Sequence, residues 1–185
     1  MKYSKNDIAI IVALEEELPE KILPEFNIFY SGVGKINATL KTAEVIYKTN
    51  PKLVINYGSA GALNKNLSGL HQVTSFYQRD MDVTDLGFMV GETPLDDINQ
   101  ISLDQKGVSC GTGDSFVSSN QALQTDLVDM EAYAIAKVCL INKLDFMCFK
   151  FISDNADAEA GDNWVKNMSL GKNFFRDKIL NLFNK

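Results

Sequence analysis

Apolar residues in this chain fall into short blocks separated by polar or glycine-rich breaks. Ile8 to Leu14 is an unbroken run rich in Ile and Val, which predicts a strand buried on both faces. A short acidic helix is predicted over about Glu15 to Lys21. A second apolar run, Ile28 to Ser31, ends at the loop SGVGK. Ile36, Leu40, Ala43 and Tyr47 then recur at three- and four-residue steps. That period predicts an amphipathic helix over about Lys35 to Lys48, ended by Asn50-Pro51. Leu53 to Tyr57 predicts another buried strand, stopped by Gly58-Ser59-Ala60-Gly61. Val73 to Tyr77, Val108 to Cys110 and Leu127 to Asp129 are further strand signals, while loops dominate from Gly91 to Gly107. Met130 to Leu140 has helical spacing. Phe146 to Ile152 is an apolar strand closed by Ser153-Asp154, and the tail from about Trp164 to Phe183 is predicted as helix.

Strands alternating with helices predict an α/β fold, with helices on both faces of a central sheet. The 185 residues show no linker or internal repeat, so one domain over 1–185 is expected. Hydrophobic residues make up 45% and charged residues 23%, which excludes a disordered chain. The net charge of −6, with no basic stripe, argues against a nucleic-acid partner. No apolar run is long enough to span a bilayer, and the first one runs straight into three Glu, unlike a signal peptide. Three Cys without C-x-x-C spacing and a single His point away from a metal site and toward reduced thiols in the cytoplasm. There are only two Arg, Arg79 and Arg176.

Polar or glycine-rich clusters follow the apolar strands directly, at Glu15–Glu17, Gly58–Gly61 and Ser153–Asp154. The carboxyl ends of strands are where open α/β sheets bind ligands, so these clusters are site candidates. Other short motifs mislead. DMDVT (Asp80 to Thr84) has the DxDxT form of aspartyl-phosphate phosphatases, but it lies mid-chain with Gln78-Arg79 between it and the strand. Ser153-Asp154-Asn155 and Ser169-Leu170-Gly171-Lys172 copy β-lactamase motifs in reversed order. Gly32-Val33-Gly34 starts a dinucleotide fingerprint, but Asn37 stands where the third Gly belongs.

VALEEEL, SGVGK, INYGSAG, GTGDSFV, VDMEAYAIA and FISDNAD occur in that order over about Ile8 to Asp157. Together they resemble the methylthioadenosine/S-adenosylhomocysteine nucleosidase family, within the purine nucleoside phosphorylase superfamily. The resemblance implies a three-layer fold around a central twisted mixed sheet and hydrolysis of the N-glycosidic bond of an adenine nucleoside. It assigns Glu17 as the base that activates water, and Asp154 as the acid that protonates N7 of the leaving adenine, with Ser153 supporting it. Met130 and Glu131 match the ribose-binding pair. Phe116 matches the aromatic that stacks on the base, Val117 gives it backbone contacts, and Ser59 lies beside the water and ribose. Val33 and Leu14 line the pocket. No metal or organic cofactor is implied, and a homodimer is expected by analogy.

The chemistry agrees with that assignment. A purine leaves more readily when protonated, which an Asp does near neutral pH if its pKa is raised. Anionic groups stabilise the cationic sugar, and a water must be held on the opposite face, as in inverting glycosidases. Taken singly, each residue has a plainer explanation. Glu15–Glu17 and Glu131 suit the first turn of a helix, Asp154 suits a cap or turn, and Phe116 suits a core. The joint pattern favours the catalytic roles.

Phosphorylases of this superfamily typically bind phosphate through Arg, two residues before the Gly-Ser/Thr turn and in the first strand-to-helix loop. Here those places hold Asn56 and the three Glu. Carboxylates repel phosphate and suit an activated water. The chain departs from the nucleosidases at Lys150, where Arg is usual. Lys150 keeps the charge and loses the planar fork, and it is expected to help hold the water. The stretches Glu17 to Ser31 and Gly91 to Gly107 are shorter than usual, which leaves the 5′ substituent open. The alternatives are a phosphorylase, or a non-catalytic protein that binds a purine nucleoside and leaves it intact.

Overall fold

In a strand, neighbouring side chains point to opposite faces, and the strands of this protein use that alternation to build two cores. The computed structural model describes residues 2–117 and 121–183. β1 (Ile8–Val12) pairs in parallel with β2 (Asn27–Tyr30) and with β3 (Leu53–Ala62). β3 pairs in parallel with β8 (Asp145–Asp154), from Leu53 opposite Asp145 onward. β8 is antiparallel to β4 (Leu70–Gln78), β4 parallel to β6 (Val108–Thr112), and β6 parallel to β7 (Leu127–Asp129). β7 returns antiparallel to β3 at Gly61 and Ala62, so the pairings close a ring. β5 (Gln100–Ser102) pairs with β4.

On one face, Ile11, Val54, Phe146 and Cys148 pack with α2 (Ala132–Ile141) through Ala132, Ile135 and Cys139, and with Ala38 of α1 (Lys35–Thr49). On the other, Ile8, Ile10, Val12, Ile55, Tyr57 and Phe149 pack with Phe175, Ile179 and Phe183 of α4 (Lys172–Phe183). Tyr57 stacks on Phe175 at 4.2 Å between ring centroids. This is the helix-flanked α/β fold that the alternation predicts, built on the mixed sheet that the resemblance implies.

Four local expectations need correction. Glu15 to Lys21 is not a helix. It is a set of turns followed by a single 3-10 turn at Glu20–Ile22, entered through Pro19, whose missing N–H and fixed φ suit a turn. The strand β3 does not stop at the glycines; it runs on to Ala62. The predicted α1 forms, but Ile36, Leu40, Ala43 and Tyr47 face outward and the buried positions are Ala38, Thr42 and Val45. The tail is two helices, α3 (Ala160–Asn167) and α4, separated by a turn at 168–171.

The glycine at the end of this turn has a steric reason. At Gly171 the backbone comes so close to the sheet that a methyl group would overlap the Phe151 side chain and Tyr57 Oη. Gly171→Ala is therefore expected to lower stability by about 2 kcal/mol, the usual scale of overpacking in a tight core. Gly161→Ala, in α3 with open space around its Cα, is expected to be neutral or stabilising by up to about 1 kcal/mol. Urea unfolding of both variants checks this contrast.

Candidate active site

β1, β3, β7 and β8 all deliver polar side chains at their carboxyl ends or just beyond, and these meet in one cavity of about 390 Å³. That volume suits a small ligand. Glu17 comes from the turn after β1, Ser59 from β3, Glu131 from the residue that opens α2 after β7, and Asp154 from the last position of β8. Leu14, Val33 and Met130 line the same cavity, as do Phe116 and Val117 beyond β6. Phe116 is half exposed in the cavity lining, while Val117 is buried against Val128 and Ala156.

Each carboxylate is buried and held. Glu17 Oε1 accepts from the Ser59 backbone N–H at 2.7 Å and from Ser59 Oγ at 2.6 Å. Its Oε2 has a long contact, 3.4 Å, from the Leu14 N–H. Asp154 Oδ2 accepts from Ser153 Oγ at 2.7 Å, and Oδ1 accepts from the Ala156 N–H at 2.9 Å. Glu131 Oε1 accepts from the Gly34 N–H at 2.8 Å, which ties the SGVGK loop to the site. The glycines in β3 make room for this cluster. A methyl at Gly61 would lie 2.8 Å from Asp154 Oδ1, and one at Gly58 would lie 3.3 Å from Lys150 Nζ and 3.5 Å from Glu17 Oε1.

Lys150 and Ser153 stand behind the wall. Lys150 Nζ pairs with Asp129 Oδ2 at 2.8 Å, with both side chains 1% exposed. Asp129 also accepts from Thr112 Oγ1 and from the Ala132 N–H. Burial pushes the Asp129 carboxyl up, but the Lys150 charge and these hydrogen bonds hold it below the usual range. Burial likewise opposes the charge on Lys150, and Asp129 overrides it. Glu131 has no such partner. Burial, with the Asp129 charge adding to it, pushes Glu131 up to about 7, while Lys150 and the Gly34 N–H pull the other way.

Sequence reasoning missed three residues of the site. Asp129 immediately precedes Met130, and a polar residue ending a buried strand was the available signal. Trp164, in α3, lines the cavity and donates from Nε1 to Ser59 Oγ at 2.9 Å. Arg79 also reaches the wall, but its guanidinium is occupied by Ser115 O, Gly113 O and Ser115 Oγ, and so braces the loop that carries Phe116. Asp80 of DMDVT pairs with Lys35 at 2.6 Å and accepts from the Asp114 N–H, which joins the same loops. Among the described residues no group of three or more His, Cys, Asp or Glu side chains is placed to hold a metal ion.

The sequence profile of the Phosphorylase superfamily matches residues 24–178. A 5′-methylthioadenosine/S-adenosylhomocysteine nucleosidase of Staphylococcus epidermidis is 32% identical, with 83% of this chain and 88% of that protein covered. The match runs over 201 positions, more than the 185 residues of this chain, so residues are missing from inside it relative to that protein. The same kind of nucleosidase from Neisseria meningitidis, solved with methylthio-immucillin-A, is 25% identical with a TM-score of 0.78, covering 89% of this chain and 93% of that one. The futalosine hydrolase of Helicobacter pylori, at 23% identity, shares the fold with a TM-score of 0.82, covering 92% of this chain and 94% of its own.

The raised Glu131 pKa has a consequence for stability. The folded protein holds that proton more tightly than the unfolded chain does, so this group lowers stability as pH rises from the ordinary 4.5 through about 7. Glu131→Gln is therefore expected to match the wild type near pH ~4 and to exceed it by roughly 3 kcal/mol near pH ~8. Urea unfolding of both proteins at the two pH values measures the difference.

Proposed function

We propose that this chain, which belongs to the phosphorylase superfamily and within it to the 5′-methylthioadenosine/S-adenosylhomocysteine nucleosidases, hydrolyses the N-glycosidic bond of an adenine nucleoside and releases adenine. The observation that carries the assignment of roles is the convergence of Glu17, Glu131 and Asp154, from three separate strand ends, on one cavity.

Phe116, half exposed in the cavity lining, stacks on the purine, and the backbone at Val117 contacts it. Met130 and Glu131 hold the ribose, with the Glu131 carboxylate accepting from the sugar hydroxyls. Asp154 donates a proton to N7. The C1′–N9 bond then breaks, its electron pair passes to the purine, and positive charge develops on the sugar. Glu17 takes a proton from water as the water oxygen bonds to C1′. Ser59 holds Glu17 and Ser153 holds Asp154. Lys150 acts from behind the wall through Asp129, as the counter-charge that keeps a cluster of buried carboxylates tolerable. A cavity with this many acids disfavours phosphate as the nucleophile.

A single domain over 1–185, a homodimer and a cytoplasmic location complete the proposal. An outward apolar ridge on α1, formed by Ile36, Leu40 and Tyr47, supports the homodimer. Three free, buried cysteines support a reducing compartment. Among the described residues no helix is long and apolar enough to cross a membrane.

Adenine release from methylthioadenosine, S-adenosylhomocysteine and adenosine in phosphate-free buffer tests the function. Release is expected without phosphate. Asp154→Asn and Glu17→Gln are each expected to lower kcat by at least about 100-fold, the lower range for acid–base groups. A strict need for phosphate would make the protein a phosphorylase, and retained activity in either variant would displace that residue from its role.

A further inference from the structure

We propose that Trp164 is a positioning residue for the base: its indole N–H fixes the direction of the Ser59 hydroxyl and so couples the docking of α3 to Glu17. The inference rests on the reading of Glu17 as the group that activates water.

Trp164 Nε1 lies 2.9 Å from Ser59 Oγ, and Ser59 Oγ lies 2.6 Å from Glu17 Oε1. An indole N–H donates and cannot accept, whereas a hydroxyl has one proton to give. Ser59 therefore accepts from Trp164 and gives its proton to Glu17. The relay runs one way, from Trp164 through Ser59 to Glu17. Oε1 also accepts the Ser59 backbone N–H at 2.7 Å, so it is occupied as an acceptor twice. Oε2 has only the long 3.4 Å contact from Leu14. The relay thus assigns Oε2 as the oxygen that takes the proton from water.

The same helix reaches the acid. α3 buries only Ala160, so little apolar packing holds it down. Two side-chain hydrogen bonds dock it instead: Trp164 to Ser59, and Asn167 Nδ2 to the Ser153 carbonyl at 2.9 Å. Ser59 holds Glu17, and Ser153 Oγ holds Asp154. A helix that covers the cavity is therefore anchored on the two serines that orient the base and the acid.

Trp164 is the one tryptophan in the chain, so indole emission reports the surroundings of this side chain. Trp164→Phe keeps an aromatic ring and removes the N–H. It is expected to lower kcat about tenfold and to change KM by less than about threefold, the scale of one hydrogen bond that acts on the base. In a Ser59→Ala background the same substitution is expected to cost nothing further, because the relay is already cut. In the substrate-free protein the indole emission maximum is expected to shift in Ser59→Ala and, through Ser59, in Glu17→Gln. The emission reads the coupling without turnover, so it stands apart from any failure of the hydrolase reading. An equal loss from Trp164→Phe in both backgrounds, or an emission maximum unchanged in both Ser59→Ala and Glu17→Gln, would overturn the proposal.

Discussion

Lys150 and Asp129 form an ion pair 2.8 Å long with both side chains 1% exposed, and the arrangement of the site depends on it. Burying two charges costs several kcal/mol each, and their attraction offsets that only when geometry and hydrogen bonds are good. Here they are: Asp129 also accepts from Thr112 and from the first turn of α2. Removing either partner would leave a buried, uncompensated charge, typically a loss of about 3–5 kcal/mol. The pair also decides how neighbouring acids ionise. Asp129 has Lys150 and stays charged, whereas Glu131 sits beside that same Asp129 charge, is equally buried, and moves up to about 7. Two carboxylates two residues apart are thus set to different states by one ammonium group.

The fold exists in this form to bring strand ends together. β1, β3 and β8 run parallel, so their carboxyl ends lie at the same side of the sheet, and β7, paired antiparallel with the end of β3, brings Glu131 to the same place. Continuous β3 is central, because Gly58 and Gly61 leave space that any side chain would take from Glu17, Lys150 and Asp154. The glycines that read as a strand stop in the sequence are instead the positions at which the strand passes under the site.

Glu17 and Asp154 were legible as candidates because each ends or follows an apolar strand, where ligands gather whatever the connecting loops do, whereas Glu131 stood out only through the joint motif pattern. The direction of the α1 stripe was not legible. A 3.6-residue period tells which residues share a face, and it does not say whether that face meets the sheet or the outside. The close approach of the turn in the tail, at Gly171, is to Phe151 and Tyr57, one of them far away in sequence. Trp164 read as one more apolar position of a tail helix, and only the fold carries its N–H to a serine 105 residues earlier. Long-range contacts of this kind leave no local periodicity.

One buried cation splits the ionisation of Asp129 and Glu131. A carboxyl ¹³C NMR titration of the substrate-free protein tests it most directly. The account predicts a Glu131 transition near 7 and an Asp129 carboxyl that stays ionised below the ordinary range for aspartate. A Glu131 transition at the ordinary 4.5, or an Asp129 that takes up its proton before Glu131 as pH falls, would contradict it.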